Sequence, residues 1–244
     1  MDRDAYQLMA AAERDHWWFR GRRVFIERAV RTLALPAMPR ILDAGCGSGG
    51  NLALLARFGT VYGFEYDAEA RAVAASLGIG TIAPGALPDD VPFPGTPFDV
   101  IGLFDVLEHL PQPVESLRAL AARLAPGGAL ILTVPALPWL WGPHDVVHNH
   151  FRRYTAATLR AHVAEAGLRV ERLTYMNALL LPLAIVQRVK ERLFGYRVEA
   201  LSPSPVVNRL LYRTWMLEQA WIPQRRLPIG LSLLAVLRCA ERSS

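Results

Sequence analysis

Two stretches of this chain gather residue types that can do chemistry. The first, LDAGCGSGG (42–50), sets Asp43 two residues ahead of Gly45, with Gly47, Gly49 and Gly50 close behind. Glycines at the turn after a strand allow positive φ and let a ligand approach the backbone, and a helix starting there offers N–H groups to it. Glu65 follows 20 residues after Gly45, where an acid can accept both hydroxyls of a ribose. The second stretch, HDVVHNHFRRYT, holds His144, Asp145, His148, His150, Arg152, Arg153 and Tyr154 within eleven residues. An imidazole can act as a base near neutral pH, an adjacent carboxylate can orient it, and guanidinium groups suit a carboxylate or phosphate.

These residues need a scaffold, and the apolar pattern predicts one. RILDAG (40–45), TVYGFE (60–65), residues 80–83, FDVIGLF (98–104) and ALILTV (129–134) read as strands. Helices are expected over 5–34, 51–58, 68–77 and 114–124, and Pro126-Gly127-Gly128 is expected to turn the chain into the fifth strand. TAATLRAHVAEAG (155–167) opens on a capping threonine and ends on glycine, so it reads as helix. Strands over 168–175 and 230–239 follow, separated by a long helical and proline-broken stretch. Alternation at this rhythm predicts an α/β fold, a mostly parallel seven-stranded sheet with helices on both faces. One domain is expected over 1–244: a helical cap (1–35), a ligand-binding core (36–175), a helical insertion (176–228) placed as a lid at the sheet's carboxyl edge, and a final strand with tail (229–244).

Bulk properties exclude several classes. Hydrophobic content of 52% with 20% charged residues indicates a folded chain. Cys46 and Cys239 make no disulfide framework or zinc spacing, and the N-terminus lacks the basic end and apolar run of a signal peptide, so a reducing cytoplasm is expected. The apolar run Ala178–Val186 is nine residues, far short of the roughly 20 that cross a bilayer. Residues 1–150 hold 12 Lys+Arg against 16 Asp+Glu, whereas 151–244 hold 15 against 6. The basic second half could meet an anionic partner or membrane surface, or remain a solvated face.

The glycine loop alone admits two ligands, because Gly45-x-Gly47-x-x-Gly50 also satisfies the dinucleotide pattern. Asp43 favours a cationic methionine portion over a pyrophosphate, which it would repel. No tyrosine has a lysine four residues later, so the pair used by short-chain dehydrogenases is missing. FDVLEHL (104–110) followed by PGG and HWWFRGRR (16–23), VYGFE and WLWGPHDVVHNHFRRYT (139–155) complete a pattern along nearly the whole chain. On these motifs the sequence resembles bacterial class I S-adenosylmethionine-dependent methyltransferases, the broad group that includes ubiquinone-pathway O-methyltransferases.

The resemblance implies a Rossmann-like sheet with an antiparallel last strand and a helical insertion before it, S-adenosyl-L-methionine as cofactor, and a set of roles. Gly45, Gly47 and Gly49 would admit the methionine portion, with Asp43 ordering the loop. Glu65 would accept the ribose hydroxyls and Tyr66 flank the adenine. Phe104 and Asp105 would line the cofactor with His109 close behind. Trp18 and Arg22 would close over the methionine end, Arg22 pairing with its carboxylate. Where relatives carry an aspartate for the adenine amino group this chain has Ala86, leaving Asp89, Asp90 or a backbone group to serve.

Methyl transfer is an in-line displacement, so the enzyme aligns the acceptor, excludes water and, for an oxygen acceptor, removes a proton. His150 with Asp145 is the expected base pair, and His148, Arg152, Arg153 and Tyr154 are expected around an anionic acceptor. The same polar groups could instead bond one another and cap the Thr155 helix. Asp145, His148 and His150 could also be metal ligands, though one loop with one acid is a thin set, and no metal is expected. Trp139, Trp141, Trp215 and Trp221 are candidate pocket walls, with core packing the alternative. The expected acceptor is a small or lipid-linked molecule. Nucleic acid is not expected, because LFDVLEHL stands where amino-methylating DNA enzymes carry Asn/Asp-Pro-Pro-aromatic. The arginine-rich insertion suggests peripheral contact with an inner membrane face.

Overall fold

The computed structural model describes residues 15–194, 203–220 and 226–240. Its centre is a seven-stranded sheet in the order β3-β2-β1-β4-β5-β7-β6. The strands are β1 (Arg40–Ala44), β2 (Thr60–Glu65), β3 (Thr81–Pro84), β4 (Phe98–Phe104), β5 (Leu124–Pro135), β6 (Leu168–Met176) and β7 (Ser232–Cys239). Strands β1 to β5 pair in parallel; β7 enters antiparallel between β5 and β6. The expected architecture, including the antiparallel last strand, is the observed one. The apolar runs of β1, β4 and β7 are buried along nearly their whole length, as strands covered on both faces must be.

Helices α1 (Trp17–Arg31), α2 (Leu52–Leu55) and α3 (Ala68–Ser76) lie on one face; α4 (Pro113–Ala121) and α6 (Ala156–Glu165) lie on the other. Between them in the chain sits the short α5 (Pro143–Val147), and the insertion supplies α7 (Leu181–Phe194) and α8 (Pro205–Met216). Phe25, Ile26, Leu52, Leu55 and Trp215 belong to one core, and Leu117, Leu120, Leu159 and Val163 to the other. Thr155 caps α6 by accepting from the Thr158 N–H, and Gly167 takes a φ of 78° just past its end, as its sequence predicts.

Three expectations shift. The N-terminal helix starts at Trp17 within the described residues, and the part expected over 5–14 lies outside them. Only Leu52–Leu55 of the segment 51–58 is helical, the rest forming turns. Pro126-Gly127-Gly128 lies inside the long β5, at a register break between Phe98–Leu124 and Val100–Ala129; the Gly127 φ of 75° bends the strand there without ending it.

The insertion is anchored to α1. Asn208 of α8 accepts from the Trp17 N–H at 2.7 Å and donates to the Asp15 carbonyl at 2.9 Å. Trp215 is fully buried, stacked on Phe25 at 5.4 Å and edge-on to Trp17 at 5.7 Å. Its ring occupies the space a β-carbon on Gly21 would need. Glu218, completely buried, accepts from the Asn177 and Leu179 N–H groups at 2.7 Å each and so fixes the turn leading into α7.

Candidate active site

The carboxyl ends of β1, β2 and β4 open into a cavity of about 1110 Å³, roofed by α1, α7 and α8. This is the point where strand order reverses across β1, the usual ligand crevice of an open α/β sheet.

At one end stands the glycine loop. Gly45 and Cys46 donate to the Phe64 carbonyl at 3.0 and 2.9 Å, which ties the loop to β2. Gly45 has a φ of 72°, and a β-carbon there would lie 2.9 Å from Val106 Cγ2, so glycine is required on both counts. Glu65 bridges the loop and α3: one carboxylate oxygen accepts from the Gly47 N–H and the other from the Asp67 N–H, both at 2.9 Å. Tyr66 beside it is 81% exposed at the rim.

Below the loop, Asp105 at the end of β4 takes a φ of 54°. That left-handed conformation is uncommon outside glycine, although Asp tolerates it better than most residues. Its carboxylate accepts from Arg22 Nη1 at 2.6 Å and Thr133 Oγ1 at 2.7 Å. The Arg22 guanidinium also lies 4.8 Å from the Trp18 ring. Its Nε is buried with no hydrogen-bond partner, a donor left over at this end of the cavity.

Of the residues expected around the cofactor, Trp18, Arg22, Gly45, Gly47, Glu65, Tyr66, Phe104, Asp105 and His109 line the cavity. Asp43 and Gly49 do not. Asp43 is buried inside β1, and Gly49 packs against Leu52, Ala74 and Leu77, so it serves loop-to-helix contact. Neither Asp89 nor Asp90 reaches the cavity; Gly85, Ala86 and Leu87 line it instead, with Ala86 paired through its backbone to Asp90.

The other end is the histidine loop. Asp145 is completely buried and accepts from His150 Nδ1 at 3.0 Å, Arg153 Nε at 2.7 Å and the Gly142 N–H at 2.9 Å. Burial opposes its charge, but the hydrogen bonds from His150 and Arg153 outweigh it and hold the carboxyl well below the usual range. The His144 and His148 rings lie 4.2 Å apart at a tilt of 56°, and His109 meets His150 edge-on at 4.6 Å. Burial, helped by neighbouring imidazoles, holds His109 and His148 down to about 4 and His144 to about 3. The loop is docked on the turn after β4 by Phe151, whose N–H donates to the Glu108 carbonyl at 2.8 Å.

His148, His150 and Arg153 face the cavity. Arg152 and Tyr154 do not: both line a separate pocket beside α4 and α6, where backbone pairing with Ala136 fixes Tyr154. Their expected place around the acceptor is therefore corrected. Trp139, Trp141 and Trp215 also stay out of the cavity, whereas Trp17 and Trp18 line it; Trp221 lies outside the described residues.

Several lining residues were not anticipated. Glu108 is 1% exposed, and burial with Asp105 nearby pushes its carboxyl well above the ordinary range. Its position in FDVLEHL, directly before His109, was the available signal. One ligand atom each from Glu108, His109 and His150 falls within 4.8 Å of the others, a trio that could hold a cation and differs from the set weighed in sequence. Arg188 and Glu191 of α7, paired at 2.6 Å, face the cavity from the insertion. Helical spacing shows that they share a face but not that this face points inward.

The fold and the glycine-loop crevice define a nucleotide-type cofactor site, and the same cavity continues to the histidine loop. The methyltransferase-domain family profile matches residues 18–173. A probable S-adenosylmethionine-dependent methyltransferase of Mycolicibacterium smegmatis is 30% identical over 64% of this chain and 61% of its own length. A 27-O-demethylrifamycin SV methyltransferase of Amycolatopsis mediterranei is 28% identical over 72% of this chain and 70% of its own. A ubiquinone biosynthesis O-methyltransferase of Parvibaculum lavamentivorans is 30% identical over 55% and 60%. Among solved structures, the methyltransferase complexed with the Haloferax volcanii Trm112 activator covers all of both chains at TM-score 0.65 and 19% identity. Haemonchus contortus phosphoethanolamine N-methyltransferase 2, solved with S-adenosyl-L-methionine, superposes at TM-score 0.57 and 15% identity over 88% of this chain and 52% of its own. The chain belongs to the class I S-adenosylmethionine-dependent methyltransferases, enzymes whose cofactor is S-adenosyl-L-methionine. The glycine cradle and the orphaned Arg22 Nε fit that group.

Proposed function

We propose that this protein methylates a small or lipid-linked acceptor, preferentially at oxygen, with His150 as the base that removes the acceptor proton. The observation that carries this reading is the Asp145–His150 pair, seated in the wall of the cavity that the glycine loop also lines. Bound S-adenosyl-L-methionine supplies a methyl group already activated by a positive sulfonium. Gly45 and Gly47 admit the methionine portion, Glu65 holds the ribose, and Arg22 with Trp18 serves the methionine carboxylate. With the Nδ1 proton of His150 donated to Asp145, Nε2 keeps the lone pair that a base requires. Arg153 keeps Asp145 ionised and fixed, which in turn sets the orientation of the imidazole. His148 lines the same chamber, and α7 shields it from water.

The names of the rifamycin and ubiquinone-pathway relatives support an oxygen acceptor. The insertion supports a lipid-linked one. Helix α7 turns Arg188 and Glu191 inward and leaves Val186, Val189, Leu193 and Phe194 exposed, near Lys190 and Arg192. An apolar outer face beside cations suits a bilayer with anionic lipids. No helix among the described residues is long and apolar enough to cross a membrane, and the contact proposed here is a peripheral one.

The test is to supply methyl-labelled cofactor with separated aqueous and lipid extracts of the source cells. Label should enter a lipid-extractable molecule as a base-stable methyl ether and fade with His150→Gln. Label confined to protein or nucleic acid would refute the acceptor class.

A further inference from the structure

Behind the histidine loop lies a second, smaller pocket of about 470 Å³, lined by Pro113, Val114, Arg152, Arg153, Tyr154, Thr158 and His162. We propose that it binds a small oxyanion, a free phosphate or the end of a phosphate monoester, at a site separate from the methyl-transfer chamber.

Four features converge on this ligand. Tyr154 is 1% exposed; the Arg152 guanidinium is near enough to donate toward its hydroxyl oxygen, but no acceptor among the described residues takes the hydroxyl proton. Arginine has no acceptor to offer, so the phenolic proton needs one from elsewhere. Burial raises the phenol to about 12, which keeps that proton in place at neutral pH. A buried donor without an acceptor costs free energy that an anionic oxygen would recover.

Arg152 brings the charge. It donates to the Pro111 carbonyl at 3.3 Å and lies 5.8 Å from the Phe151 ring, but no carboxylate among the described residues pairs with it. No acid lines the pocket; Glu115 and Glu165 lie outside its walls. His162 faces Tyr154 edge-on at 5.7 Å, with Nδ1 buried and unbonded.

Two helices of at least nine residues also begin here. Pro113 and Val114 open α4, whose N-terminus has no side-chain cap, and Thr158 lies in the first turn of α6. Both present the positive end of a helix to the pocket. Arg153 lines both cavities, with its Nε committed to Asp145, so the pocket abuts the base-anchoring pair without opening onto it.

The experiment is calorimetric titration of the purified full-length protein with inorganic phosphate and, separately, glycerol 3-phosphate. Chloride maintains constant ionic strength, and both titrations are repeated with saturating S-adenosylhomocysteine. The wild type should bind at least one anion, with affinity unchanged by S-adenosylhomocysteine. Arg152→Gln should lower that affinity at least tenfold, and Tyr154→Phe several-fold without loss of thermal stability. Tighter binding of the monoester would identify an esterified source, and equal binding a free ion. Absence of binding, wild-type affinity in both variants, or displacement by S-adenosylhomocysteine would overturn the proposal. Because no methyl acceptor enters the assay, its outcome is independent of the acceptor assigned above.

Discussion

The two ends of the main cavity are built by different means. At the glycine end, contacts run largely through backbone: Gly47 and Asp67 N–H groups hold Glu65, and the Phe64 carbonyl holds the loop. At the histidine end they run through side chains, with His150 and Arg153 converging on one buried carboxylate and three further imidazoles kept neutral around it. Backbone geometry set by a turn tolerates changes in neighbouring side chains. A side-chain network fails when one member is lost. On the proposed reading, the glycine end is a general cofactor device and the histidine end is where acceptor specificity would reside.

Substitutions can break that contrast selectively. The largest effect is expected from His150→Gln, which should lower kcat about 10²–10⁴-fold, the usual worth of a positioned base. Cofactor affinity should stay within a factor of about two; an equal fall in both would place His150 at the cofactor instead. Next is Glu65→Ala. Losing charge-assisted contacts worth about 1.5–3 kcal/mol each should weaken S-adenosylmethionine binding at least tenfold, with kcat nearly unchanged at saturation. A kcat-only defect in steady-state kinetics would contradict the division.

Stability measurements sharpen it further. Gly21→Ala forces the Trp215 ring to move, and overpacking of this kind costs about 1–3 kcal/mol, readable as a lower midpoint in denaturant. Unchanged stability would mean that the α1–α8 seam is loose. For His109, His144 and His148 the folded state holds the proton less tightly than the unfolded chain, whose imidazoles titrate near 6.5. Stability should be full above pH 6.5 and decline as pH falls through 6.5 toward about 4 for His109 and His148 and about 3 for His144. His148→Asn should flatten that decline. The smallest effect is expected from a chelator: with His150 acting as base, EDTA should leave kcat unchanged. Strong inhibition reversed by a divalent ion would transfer the Glu108, His109 and His150 trio to metal binding.

The sequence exposed these ends unequally. Strand periodicity and the Gly45–Gly50 run made the sheet and cofactor loop readable, because both depend on local backbone rules. The type and positive φ of Gly49 do not by themselves distinguish packing against Leu52 and Ala74 from approach to a ligand. In HDVVHNHFRRYT, types and spacing correctly suggested that Asp145 and His150 meet, yet Arg152 and Tyr154 turned the other way. That choice depends on where the segment lands beside β5, through Tyr154 and Ala136, a contact no local pattern encodes. Glu108 carried a signal in its place beside His109, whereas Arg188 and Glu191 become visible only once helix α7 is folded over the same space.

If the glycine loop and Glu65 hold S-adenosylmethionine, calorimetric titration of the purified protein with S-adenosylmethionine, S-adenosylhomocysteine and NAD should show it. Saturable one-to-one binding is expected for the first two, weakened by Glu65→Ala, and none for NAD. Preference for NAD, or no binding of either sulfur ligand, would contradict it.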